Sequence, residues 1–180
     1  MNEPMLRIIK INNSIMNSRK NSMATLSHIN TQGDVQMVDI TTKGKTTRKA
    51  KARGIVKMDR HTLELIEQGR MTKGNVLTTA KIAGIMAAKK TGELIPLCHP
   101  LNLTSVDLVL NIDHENSSIV IDSLVRTTGK TGVEMEALTA VSIAALTIYD
   151  MCKAVNKNIV IGDIMLLEKR GGKSGTFIRK

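Results

Sequence analysis

A chain of 180 residues, 42% hydrophobic and 23% charged, is long enough for one domain with a workable core. No run of 18 apolar residues occurs, which argues against a bilayer span, and the two cysteines lack paired spacing, which argues against a disulfide scaffold or a zinc knuckle and suits a reducing cytosol. The net charge of +10 points to nucleic acid only until it is located: residues 1–24 and 168–180 hold seven of the ten charges, and Tyr149 and Phe177 are the only aromatics available to stack on bases.

Residues 1–24 mix Asn, Ser, Met and basic residues without a period. A targeting segment for an organelle, a flexible tail and a true start at Met23 are all compatible with them, and the fold is expected to lie in residues 25–180 as a single catalytic domain. From Leu26 to Thr47 the text is turn-rich and reads as an ordered arm. Lys49 to Met58 reads as a strand. Asp59 is placed to cap a short helix, Arg60 to Gln68, with Gly69 as its stop. The loop Arg70 to Asn75 opens a second helix that runs to about Lys90. Two strands follow, near Leu103–Ile112 and Ser118–Arg126, across a polar turn at Asp113–Ser117. A long helix then starts after Gly132, and Asn158–Glu168 makes a last strand. The order β-α-α-β-β-α-β predicts an α+β fold: a ferredoxin-like antiparallel sheet with helices packed on one face.

The long helix draws attention because its charges sit only at its ends. Glu134 and Glu136 lie in the first turn, where carboxylates favour the dipole, whereas Asp150 near the far end opposes it. The uncharged stretch Ala137–Tyr149 predicts burial over most of the circumference. A bland reading makes Asp150 and Lys153 a surface ion pair. The functional reading makes Asp150, Lys153 and Lys73 an acid/base set, with a lysine lowered by neighbouring cations. Glu136 and Asp150 are 14 residues apart, roughly 21 Å along a helix, so both can serve one small substrate only if different subunits supply them.

Three glycine/lysine loops, at 70–74, 129–132 and 171–175, are candidate phosphate cradles, since glycine admits close backbone approach to an anion. None completes a P-loop, because the first glycine of that motif would fall on Leu124 or Leu167. His99, beside Cys98 and between Pro96 and Pro100, sits on a stiffened backbone suited to a site. The spacing of histidines and acids suggests no metal centre.

These residues carry a close resemblance. Leu94 to Pro100, Thr128 to Ala140, Ala145 to Val155 and Gly171 to Gly175, extended by His28–Asn30, Met37–Asp39 and Lys73–Val76, resemble the MoaC family of cyclic pyranopterin monophosphate synthases, which act in molybdenum cofactor biosynthesis. The resemblance runs from about Leu26 to Phe177. It implies a cytosolic lyase assembled as a homohexamer, a trimer of dimers with sites at subunit interfaces. The implied substrate is 3',8-cyclo-7,8-dihydroguanosine 5'-triphosphate, converted to cyclic pyranopterin monophosphate and diphosphate. The family's catalytic aspartate falls on Asp150 and its site lysines on Lys73 and Lys153. Substrate contacts fall on Leu97, Cys98, His99, Met135 and Glu136, and a further site glutamate on Glu134. No redox cofactor is implied, and magnesium beside the leaving diphosphate is left open. A non-catalytic basic module and a general nucleoside triphosphate hydrolase are the competing readings; the first predicts salt-sensitive binding through the tails, the second phosphate release from ordinary GTP or ATP.

Overall fold

The computed structural model describes residues 32–180; the expected extension 1–24 and the His28–Asn30 motif lie outside them. The chain divides into two compact units, Met1–Val38 and Asp39–Lys180, and of the first only residues 32–38 are described, a largely exposed stretch. The second unit is an α+β domain. Its elements are β1 (Thr46–Lys57), α1 (Arg60–Glu67), α2 (Val76–Lys89), α3 (Thr91–Leu94), β2 (Leu103–Asp113), β3 (Ser118–Gly129), α4 (Glu134–Cys152), β4 (Val160–Arg170) and β5 (Phe177–Ile178). They build one open five-stranded sheet, order β2-β3-β1-β4-β5, with every neighbouring pair antiparallel.

Local chemistry sets the boundaries. Asp59 accepts the Thr62 amide at 2.7 Å and Asn75 accepts the Thr78 amide at 2.9 Å, each satisfying an orphan donor at a helix start. Gly69, with φ of +66°, ends α1 in the left-handed region that glycine enters without steric cost. Asp113 accepts the Asn116 amide at 3.0 Å and closes the β2–β3 hairpin. Two elements had no expectation behind them, the single turn α3 and the short edge strand β5, which pairs with Glu168 and Lys169 of β4.

Alternation along the strands splits the sheet into two faces. Ala50, Ala52 and Val56 of β1, Ile119, Ile121 and Val125 of β3, and Leu108 of β2 face the helices and are fully buried. On the opposite face Arg53 donates twice to Asp122, at 2.8 and 2.9 Å, and Glu168 gathers Lys49, Lys51 and Arg170. Small residues let α4 lie close on the sheet and on α2. A Cβ on Gly54 would stand 2.5 Å from Val141 Cγ1, and one on Gly84 would stand 2.7 Å from the Ala140 carbonyl oxygen. Leu63, Leu108, Ile119, Ile121 and Ile148 are the largest fully buried side chains among the described residues, each contributing about 1.5–3 kcal/mol relative to exposure.

Helix α4 shows the expected burial over most of its circumference: of Ala137–Tyr149 only Leu146 is exposed. Its 19 residues and mean hydropathy of 1.3 would suit a membrane span, yet it is the core helix, burying Ala137, Ala140, Val141, Ala144, Ala145 and Ile148. Its outer side leaves Leu146 54% exposed, and Ile82 and Met86 on α2 are equally exposed. The uncharged sequence thus covers two different surfaces. One is filled by the sheet and α2, and the other is half-buried except at Leu146.

Candidate active site

The C-terminal end of α4 holds three of the expected residues together. Lys73, from the glycine turn that precedes α2, donates to an Asp150 carboxylate oxygen at 2.7 Å and to the Asp150 carbonyl at 2.9 Å. Lys153 meets the other carboxylate oxygen at 2.7 Å. The misplaced acid therefore has a physical account: two ammonium groups offset the negative end of the dipole, and one of them bonds a carbonyl that the ending helix leaves free. Bonds from Lys153 and then Lys73 hold the Asp150 carboxyl down at about 2. Asp150 in turn pushes Lys153 up. This corrects the expectation of a lysine lowered by other cations, because within one chain the nearest charge to Lys153 is an anion. Cys152, behind them, is pushed up to about 11 by burial and stays a thiol.

The N-terminal end of α4 gathers the rest. Glu136 is 4% exposed, and its carboxyl is raised to about 7, chiefly by burial and then by the neighbouring Glu134 charge. It lines a cleft of about 400 Å³ bounded by Lys89, Gly92 and Glu93 from the end of α2 and from α3, and by Pro100, Leu101 and Asn102. The Leu97–Pro100 loop folds against α3: the Cys98 amide bonds the Ile95 carbonyl at 3.0 Å, and a Cβ on Gly92 would stand 3.0 Å from Pro100 Cα. Leu97, Cys98 and His99 are half-buried there. Burial, helped by Glu136, pushes the Cys98 thiol up, so it is no ready nucleophile. Met135, one residue before Glu136, is 37% exposed.

Sequence reasoning missed two cations at this end. Lys169, counted only among the basic residues of the tail, pairs with Glu134 at 3.0 Å and donates to Ser174 at 3.0 Å. Arg48 on β1 donates to the Gly129 and Lys130 carbonyls at 3.2 and 3.1 Å, with its guanidinium packed on Gly172. Gly171 and Gly172 have φ of +95° and +78°, the conformation this close approach requires. The only signal for Arg48 was a cation at the start of a strand, and nothing local distinguishes it from Lys49 or Lys51.

The three glycine/lysine loops consequently do not form one cradle. The loops at 129–132 and 171–175 are tied together by Arg48 at the start of α4, while the loop at 70–74 lies at its far end. Among the described residues no group of three His, Cys, Asp or Glu is placed to hold a metal ion. One chain carries two half-sites, a cationic one with Asp150 at its centre and a cleft with a buried carboxyl.

The MoaC family model matches residues 37–172, which contain both half-sites. Cyclic pyranopterin monophosphate synthase of Heliobacterium modesticaldum is 59% identical over 158 residues, 88% of this chain and 99% of that protein. Family match and relative alike cover far more than the core helix, so this chain belongs to the MoaC family.

Proposed function

We propose that this protein is a cyclic pyranopterin monophosphate synthase, a lyase that converts 3',8-cyclo-7,8-dihydroguanosine 5'-triphosphate to cyclic pyranopterin monophosphate with release of diphosphate, in the cytosol, for molybdenum cofactor biosynthesis. Its catalytic domain is taken to run from residue 25 onward. The reading is supported by the 59% identical relative of that name and by the family match. The observation that carries it is the Lys73–Asp150–Lys153 cluster, two ammonium groups at 2.7 Å from one carboxylate.

The chemistry asks for proton donors, an acceptor and anion binding. Lys73 and Lys153 act as proton donors, with Asp150 fixing both ammonium groups in place. Glu136, at about 7, exchanges protons near neutral pH and, with His99, holds the ring that becomes the pterin. Leu97, Cys98, Glu134 and Met135 shape its surroundings. When a hydroxyl oxygen of the substrate attacks the α-phosphorus, the bond to the diphosphate breaks, the hydroxyl proton passes to a base, and nearby cations offset the charge of the leaving group. No net oxidation is involved.

The two half-sites lie about 21 Å apart along α4. A complete site therefore takes the Asp150 cluster from one subunit and the Glu136 cleft from another. The exposed Leu146, Ile82 and Met86 are the surface for that second copy, and a homohexamer built as a trimer of dimers accommodates it.

The test is to incubate the purified protein with the cyclic dihydroguanosine triphosphate, with and without magnesium, and to follow diphosphate release and the appearance of a pterin. Both products should form, and ordinary GTP should be left intact. Phosphate release from GTP without any pterin would replace this reading with a nucleotidase.

A further inference from the structure

Met37–Asp39 carries part of the family resemblance, yet its aspartate has no part in the chemistry above. Asp39 opens a tight turn. One carboxylate oxygen accepts the Thr41 amide at 2.7 Å, and the Lys43 amide closes the turn on the Ile40 carbonyl at 3.1 Å. The carbonyl of the same Thr41 accepts the Lys130 ammonium at 2.7 Å, from 89 residues away. Thr41 is therefore held by Asp39 through its N–H and holds Lys130 through its C=O. The loop that carries Lys130 is fixed from its other side by Arg48, which binds the carbonyls of Gly129 and Lys130. Glu134 follows four residues later. The Thr41 bonds hold the exposed Asp39 carboxyl below the usual carboxylate range, and the charges of Lys130 and His99 add to this.

An aspartate that bonds the amide two residues on is in most proteins only a turn device. Here the turn has a further effect. Lys130 is anchored on a neutral carbonyl, so its charge is fixed in position without a direct ion pair among the described residues, although the Asp39 carboxylate lies within electrostatic reach. Lys169, by contrast, is paired with Glu134. An immobilised ammonium bonded to a carbonyl rather than to a carboxylate is suited to a polyanion.

We propose that Asp39 is a positioning residue for substrate binding: its turn presents the Thr41 carbonyl that fixes Lys130, leaving that ammonium charged for the phosphates of the substrate. This rests on the function proposed above. It places Asp39 in the recognition of the substrate and outside the proton-transfer steps.

The first measurement needs no substrate. Amine-reactive footprinting of the full-length protein, read by mass spectrometry, should show Lys130 acylated about fivefold faster in Asp39→Ala than in the unaltered chain, as expected when one hydrogen bond is lost. Asp39→Asn, whose amide oxygen can accept the same Thr41 N–H, should stay within about twofold. Kinetics with the cyclic dihydroguanosine triphosphate should then show KM raised about fivefold or more in Asp39→Ala with kcat within about twofold. Asp39→Asn should recover most of the loss, and Asp39→Ala combined with Lys130→Ala should be no worse than Lys130→Ala alone. Unchanged Lys130 reactivity, or additive losses in the double variant, would overturn the proposal. Absence of turnover in the unaltered protein would instead count against the proposed function, and the footprint would still decide the role of Asp39.

Discussion

Asp150 and Glu136 are acids on one helix whose environments drive them apart. Asp150, bridged by two lysines, is held at about 2 and stays a carboxylate at any physiological pH. On the proposed mechanism Lys73→Ala and Lys153→Ala each remove a proton donor while leaving the exposed cluster free to hydrate. Each is expected to lower turnover by about 10²–10⁴-fold with the fold retained, read by steady-state kinetics at saturating substrate beside circular dichroism. Near-normal turnover of either variant would remove that lysine from the proton-transfer role. Glu136 behaves oppositely. Its carboxyl rises from 4.5 to about 7 on folding, so the folded state takes up a proton between those values. The stability of the neutral form is fully present below about pH 4.5 and falls as pH rises through 7, beyond which a buried charge remains as a cost. Glu136→Gln stays neutral throughout. Urea unfolding should find it close to the unaltered protein at about pH 4 and more stable by on the order of 1–3 kcal/mol at about pH 8. A difference that does not vary with pH would mean that the carboxyl is solvated.

At the scale of elements, the meeting of α2 and α4 decides where the half-sites stand. The two helices approach at Gly84, where an added methyl would meet Leu108 Cδ2 at 2.5 Å and the Ala140 carbonyl at 2.7 Å. The leucine can rotate away, but the carbonyl belongs to a helix and cannot. Alanine is favoured over glycine in a helix by about 1 kcal/mol, whereas overpacking costs about 1–3 kcal/mol. Gly84→Ala is therefore expected to destabilise the protein, seen as a lower urea midpoint at unchanged slope. Greater stability would show room between the helices that these distances deny. The same element scale shows why some boundaries were legible. Asp59 and Gly69 act within a few residues, and those signals were read correctly; Asn75 acts in the same way as a cap, where the sequence was read only as a loop opening the helix. Strand β5 exists because β4 offers Glu168 and Lys169 as partners, and no local feature of Phe177–Ile178 announces that.

The whole molecule raises the question of completing a site from two distant ends. If each site draws Glu136 from one subunit and Asp150 from another, a mixed dimer of Glu136→Ala and Asp150→Ala has one site with both defects and one with none. Dissociating, mixing and reassembling the two inactive proteins should restore up to about one quarter of the full activity, because half of randomly paired dimers are mixed and each has one intact site of two. No recovery, despite mass-spectrometric proof of mixed assemblies, would refute the shared site and return Glu136 to a structural role at the helix start.

The sequence alone determined the elements with local causes, their order, the α+β class and the family. Capping residues, glycine stops and strand alternation act over a few positions, and the long motifs are specific wherever they occur. The separation of Glu136 from Asp150 was also legible, since helix rise is a property of the backbone. Other properties required the tertiary structure. Arg48 is one of several strand cations until the loops at 129–132 and 171–175 are folded onto it. The expected lysine lowered by neighbouring cations gives way to a raised Lys153 once Asp150 is found 2.7 Å away. Glu136, a first-turn acid by its position, is raised to about 7 chiefly by its burial in the folded chain, where it lines a cleft with α3 and the Pro100–Asn102 segment. Burial and charge pairing depend on neighbours distant in sequence, so a side chain's chemistry is decided by the packing around it.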